Sequence, residues 1–93
     1  MKSVIQKQKV CLICNARNGI HEHHIFEGTA NRKMSEKFGL KVFLCGPHHN
    51  LSNEGVHFNK ELDLSIKQLG QKYFERHYGT REYFIQMFGK SWL

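Results

Sequence analysis

Residues 40–50 run Leu40-Lys41-Val42-Phe43-Leu44-Cys45-Gly46-Pro47-His48-His49-Asn50. The first five are apolar but for one lysine and predict a strand, Leu40 to Leu44, that leads into Cys45. Cys45 and His48 then stand with two residues between them, and so do Cys11 and Cys14 in the upstream stretch Cys11-Leu12-Ile13-Cys14. That spacing lets a tight turn aim both side chains of a pair at one ion, and two pairs supply the four tetrahedral positions that Zn²⁺ prefers. Cys11, Cys14, Cys45 and His48 are therefore expected to hold a structural Zn²⁺. Such a site is closed to substrate, and its task is to fasten the strand region near Cys11 to the turn at Cys45.

Size and composition call for a staple of this kind. The 93 residues predict a single domain, and a domain of that size buries only about 60 to 65% of the surface its unfolded chain exposes. Three cysteines cannot pair off into a disulfide framework, which leaves a metal as the leading staple. Met1 to Val10 carry three lysines and no apolar core, so they read as neither a signal peptide nor a membrane span. The expected setting is cytoplasmic, where reducing conditions keep thiols free for metal. Fourteen Lys and Arg against eight Asp and Glu leave a net charge of +6, a balance that favours a polyanionic partner.

The two parts of the chain differ in content. All three cysteines and six of the seven histidines fall between Cys11 and His57, whereas residues 60–93 read as helical support. There Leu62, Ile66, Leu69 and Tyr73 recur at spacings of four, three and four, which predicts one apolar stripe on a helix that Asn59 caps and Gly79 ends. Thr80 caps a second, short helix with Tyr83, Phe84, Met87 and Phe88 as its apolar positions, stopped by Gly89. Upstream, Met34 and Phe38 lie four apart in a segment closed by Gly39, which predicts a short helix from about Ala30. His77, near the end of the long helix, is read as structural, since a cation there suits the helix dipole.

The stretch His21-Glu22-His23-His24, with His49, Asn53 and His57 after the cysteine region, forms a second constellation. So many histidines cost folding free energy unless their nitrogens find partners. Neighbouring histidines also point in different directions, so each doublet can serve two tasks. His23 and His24 can divide into ligand and base, and His48 and His49 can face two different metals.

The order Cys-x2-Cys, His-His-Ile, Leu-Cys-x2-His-His-Asn and Gly-Val-His, spread over residues 11 to 59, resembles the HNH branch of the His-Me finger nucleases. Within that branch it is similar to small phage-associated and recombination-enhancement-type HNH proteins that carry a built-in zinc knuckle. Tyr73 to Gly79 is also similar, less specifically, to the helix that follows the motif. The resemblance implies an α+β fold: a small ββα-metal core with a zinc knuckle, followed by C-terminal helices. In such a core a β-hairpin carries the first histidine and a helix carries the later ligands.

Carried over position by position, the resemblance makes His24 the general base that deprotonates water and His23 a ligand of a catalytic metal. His49 becomes the ligand that opens the helix. The last ligand is His57 by the Gly-Val-His match, with Asn53 as competitor at the usual spacing of four. The family's central asparagine has no counterpart where Gly39, Leu40 and Lys41 stand; Asn31, Asn50 or a backbone carbonyl are the candidate supports for His24. Histidine-rich ligation suits Zn²⁺, Mn²⁺, Ni²⁺ or Co²⁺ better than Mg²⁺, which prefers oxygen.

The activity so implied is metal-dependent endonuclease cleavage of nucleic acid, DNA first, in a phage- or prophage-encoded protein with a homodimer as an open possibility. Arg32, Lys33, Lys37 and Lys41 are the residues expected along the phosphate backbone, where contacts give affinity without sequence information. The competing reading is a non-catalytic zinc module that binds nucleic acid or protein, marked by a second site saturated with four ligands.

Overall fold

The computed structural model describes residues 1–52 and 54–93. In chain order the elements are β1 (Ile20–His24), α1 (Thr29–Phe38), β2 (Lys41–Cys45), α2 (Gly46–His49), α3 (Lys60–His77) and α4 (Arg81–Phe88). The fold is a small α+β arrangement built on one two-stranded antiparallel sheet. The expected strand at Leu40 to Leu44 sits one residue later, because Leu40 uses its carbonyl to accept from the Ile25 N–H at the mouth of the sheet. One expectation fails here: the region around Cys11 is a turn and not a strand. Its segment instead joins the sheet through a single bond, Leu12 N–H to the Phe43 carbonyl at 2.8 Å.

Register assigns the strand side chains to two faces. His21 stands opposite Leu44 and His23 opposite Val42, while Glu22 stands opposite Phe43 and His24 opposite Lys41. Since successive side chains in a strand alternate, His21 and His23 share the face of the buried Val42 and Leu44. Glu22 and His24 share the other face with Lys41. The connection between the strands contains α1, which Gly39 ends in the left-handed region at φ 69. Glycine is required there also because a Cβ would lie 2.5 Å from the Lys2 carbonyl oxygen.

The support helices begin where expected. The Asn59 side chain accepts from Leu62 N–H at 3.1 Å and the Thr80 hydroxyl from Tyr83 N–H at 3.1 Å, the usual way of satisfying first-turn donors. The stripe on α3 is rotated from the expected Leu62, Ile66, Leu69 and Tyr73. The buried positions are Ile66, Lys67, Gly70, Gln71 and Phe74. Gly70 explains the rotation: a Cβ there would come within 3.0 Å of Ile25 and 3.2 Å of Phe26. The helix therefore seats its one bare position against the residues just after β1. Phe74 then reaches the aromatic core of Phe26, Phe38, Phe84 and Phe88, and Leu62 and Tyr73 pack at its edge. Among the described residues no helix is long and apolar enough to cross a membrane.

Candidate metal centres

Two donor clusters meet at α2. Cys45 caps this four-residue helix, with Pro47 in its first turn, where the missing N–H costs nothing and φ is already helical. The short helix turns His48 and His49 apart. His48 joins Cys11, Cys14 and Cys45, and His49 joins His23 and His57, each set with its donor atoms within 4.8 Å of one another.

The first cluster has the dimensions of a tetrahedral ion site. Cys14 Sγ and Cys45 Sγ are 3.7 Å apart, and His48 Nδ1 lies 3.7 Å from Cys11 Sγ and 3.2 Å from Cys45 Sγ. Ligands at about 2.3 Å from a tetrahedral Zn²⁺ are themselves roughly 3.8 Å apart, whereas a disulfide would need sulfurs at about 2.05 Å. The turn over 11–16 is closed by Asn15 N–H to the Cys11 carbonyl and by Cys11 N–H to the Ala16 carbonyl, each 2.9 Å. Asn15 itself takes φ 63, a conformation asparagine tolerates. Burial opposes ionisation of Cys11, but backbone N–H groups of Cys45, Cys14 and Ile13 outweigh it and bring the thiol down to about 6. Burial holds the Cys45 thiol above its ordinary value. The backbone N–H groups around Cys11 thus favour its thiolate, the form that binds zinc.

In the second cluster His57 reaches His49 although eight residues separate them. The chain does not continue the helix. It folds back, with Val56 N–H donating to the His48 carbonyl at 2.8 Å and His57 N–H to the His49 carbonyl at 3.2 Å. Gly55 permits this close return, since a Cβ would lie 2.7 Å from the His49 carbonyl oxygen. Asn53, the competing ligand, lies outside the described residues.

The Nε2 atoms of His49 and His57 face each other at 3.0 Å. On their outer edges, His49 Nδ1 lies 2.8 Å from His21 Nδ1, and His57 Nδ1 lies 3.9 Å from Glu27 Oε1. When the ring protons sit on these outer nitrogens, both Nε2 lone pairs point inward, the arrangement metal-binding histidines adopt. His23 is 3% exposed, and its Nε2 is buried without a hydrogen-bond partner. A buried ring nitrogen without a partner is costly, so core packing does not account for His23, whose ring lies against those of His49 and His57. Burial, with His49 and His57 next to it, pushes His23 down to about 3; burial likewise takes His49 to about 4, helped by His57 and His21. His23 and His49 can therefore act as ligands without first losing a proton to solvent.

His24 lies on the opposite face of β1 and has a different partner. Its Nε2 is 2.9 Å from Glu36 Oε1 on α1. Glu36 also meets the Met1 α-amino group and Lys41 Nζ at 3.2 Å, and these contacts, with His24, hold its carboxyl at about 2. An ionised Glu36 only accepts, so this contact places a His24 proton on Nε2 and leaves Nδ1 as the other nitrogen. The expected supports differ: Asn31 donates instead to the Phe88 carbonyl at 3.3 Å. Both His23 and His24 line one cavity of about 470 Å³, together with Glu27, Gly28, Arg32, His49 and His57.

The four expected phosphate contacts separate. Arg32 lines the cavity, and Lys33 lines an adjoining depression with His24 and Glu36. Lys37 is exposed on α1, outside both. Lys41 must be corrected: it is 4% exposed and paired with Glu22 and Glu36 at 3.2 Å each. Its ammonium is neutralised from within, so it is not available to a polyanion. His77 belongs to neither cluster and stacks on Tyr73.

Glu36, Glu27 and Asp63 are site residues that sequence reasoning missed. Glu36 had one readable signal, as the single acid among Arg32, Lys33, Lys37 and Lys41. Asp63 looked like an ordinary first-turn acid of a helix. Comparison of the chain with family models, with curated proteins and with solved structures found no match.

Proposed function

We propose that this protein is a metal-dependent endonuclease of the HNH type, with a ββα-metal core formed by β1, β2 and α2. The observation that carries the reading is the convergence of His23, His49 and His57 on an open cavity that the adjacent His24 also lines. A cluster of three donors leaves positions for substrate, which is what separates a catalytic ion site from a closed structural one. His23, His49 and His57 would hold a divalent ion such as Zn²⁺, Mn²⁺, Ni²⁺, Co²⁺ or Mg²⁺. When bound, that ion supplies Lewis-acid stabilisation to a phosphate oxygen and to the departing oxygen. Cys11, Cys14, Cys45 and His48 would hold Zn²⁺ for structure alone.

The protein's own groups divide the remaining work. His24 takes the proton of the attacking water on Nδ1, and Glu36 keeps that nitrogen free by accepting the Nε2 proton. Glu36 thus fills the supporting place that asparagine holds in the family this chain resembles. Arg32, exposed and without an ion pair among the described residues, offers its guanidinium fork to a phosphate at the cavity rim. No contact of this kind reads a base, so cleavage is expected to show little sequence preference.

The test is plasmid cleavage by protein stripped of its histidine-bound metal, with each divalent ion restored in turn, alongside His24→Ala. The expected result is ion-dependent nicking that His24→Ala lowers by about 10² to 10⁴ while metal and DNA binding persist. Metal-independent nicking, or unaltered cleavage by His24→Ala, would overturn the assignment.

A further inference from the structure

Two donor groups in this structure share one residue. His23 belongs to the trio with His49 and His57, and also to a second trio with Glu27 and Asp63, whose donor atoms again lie within 4.8 Å of one another. Asp63 joins no common set with His49 and His57, so its carboxylate lies off the point where those rings converge. An imidazole has a nitrogen on each of two edges, so one ring can serve both trios.

Among the described residues only two buried side-chain polar atoms lack a hydrogen-bond partner, and they are His23 Nε2 and Asp63 Oδ1. Both are in this second trio. One can donate and the other accepts, and they lie in one group with no hydrogen bond between them. Asp63 is already paired on its other side. Its Oδ2 meets Lys67 Nζ one helical turn on at 2.8 Å, and that ammonium also lies 4.4 Å from the centre of the Trp92 ring. Oδ1 is the oxygen left free to accept.

We infer that Asp63 is a positioning residue of the histidine centre: it accepts the ring N–H of His23 and so presents the opposite nitrogen as the metal ligand. The inference rests on the metal reading of His23, His49 and His57. A carboxylate behind a ligating histidine fixes the tautomer and raises the basicity of the bound nitrogen. The arrangement also gives α3 a task beyond packing, since its first turn carries the support for a ligand on β1. His21 behind His49 and Glu27 near His57 complete the pattern, so every ring of the trio has a partner on its outer edge.

The experiment is calorimetric titration of Co²⁺ into protein that retains its knuckle zinc, for the wild type, Asp63→Ala, Asp63→Asn, Lys67→Gln and His23→Ala. Nitrogen-15 spectra of the His23 ring report its tautomer in parallel. Asp63→Ala is expected to weaken Co²⁺ binding about 10- to 100-fold, and wild-type His23 to show one protonated nitrogen in the loaded state. Lys67→Gln removes the ion pair but not the acceptor, so it separates a folding defect from a positioning one; its affinity should stay within about threefold of wild type. Asp63→Ala binding as tightly as wild type while His23→Ala binds none would overturn the role of Asp63. So would a loss as complete as that of His23→Ala, which would make Asp63 a ligand. If His23→Ala itself binds normally, the histidine centre is misassigned and the inference falls with it.

Discussion

Cys14→Ser isolates the contribution of the knuckle metal, because Cys14 is the one exposed cysteine. Swapping an exposed sulfur for oxygen opens no cavity and removes no core contact, so without a bound ion the change should move stability by no more than about 0.5 kcal/mol. With an ion the outcome is different. Structural Zn²⁺ contributes about 10 to 16 kcal/mol to folding in small domains, and losing one of four ligands forfeits roughly a quarter of that, about 2.5 to 4 kcal/mol. A domain of 93 residues has only about 5 to 14 kcal/mol in total. The variant should therefore lose much of its stability. The structure says where the loss would be felt: the 11–16 turn meets the sheet through one backbone bond, Leu12 to Phe43, and the buried Cys11 and Cys45 would face each other uncompensated. Urea unfolding followed by circular dichroism, with zinc content measured on the same samples, reads both quantities. A Cys14→Ser protein with the wild-type midpoint and one zinc fewer would separate folding from metal; unchanged midpoint and unchanged zinc would remove the knuckle assignment altogether.

Three further outcomes follow from the histidine side. His23→Ala and His57→Ala should each abolish Co²⁺ binding at the second centre, and Asn53→Ala should leave it intact; calorimetry giving the reverse order for His57 and Asn53 would transfer the ligand role. Glu36→Gln should slow cleavage without releasing either metal, because a neutral amide supports the His24 tautomer less well than a carboxylate; an unchanged rate at saturating metal would show that Glu36 is only a surface ion-pair partner. The pH dependence of apo stability has a definite sign. His23 is held at about 3 by burial against an ordinary 6.5, so the unfolded chain binds a proton below about 6.5 that the folded one refuses until about 3. Stability is then full above 6.5 and lost as pH falls through that window, by at most about 5 kcal/mol. Denaturant midpoints of EDTA-treated wild type and His23→Gln between pH 7 and 4 measure it, and equal slopes for the two proteins would refute the assignment.

Among the described residues, the sequence alone carried every helix except α2, the second strand to within one residue, and the residues that the two donor clusters bring together, with Asn53 left open. These features depend on local rules. Caps at Asn59 and Thr80, the glycine stops at 39 and 89, and the two-residue spacing of paired ligands act over a few residues and are written in order. The doublet logic at His23-His24 and His48-His49 is local for the same reason, since neighbouring residues in a strand or a short turn must diverge. What lay beyond reach depended on which surfaces meet. The rotation of α3 was decided by the bare Gly70 seating against Ile25 and Phe26, a contact between residues 44 or more apart that outweighs the helix's own apolar periodicity. The burial of Lys41 came from Glu22 and Glu36, brought to it by strand register and by α1. Glu36 behind His24 and Asp63 behind His23 were invisible for the same reason. A carboxylate on a helix reads as solvent-facing charge until the tertiary fold sets it beside an imidazole, and only the packing of α1 and α3 around β1 and the residues just after it does that.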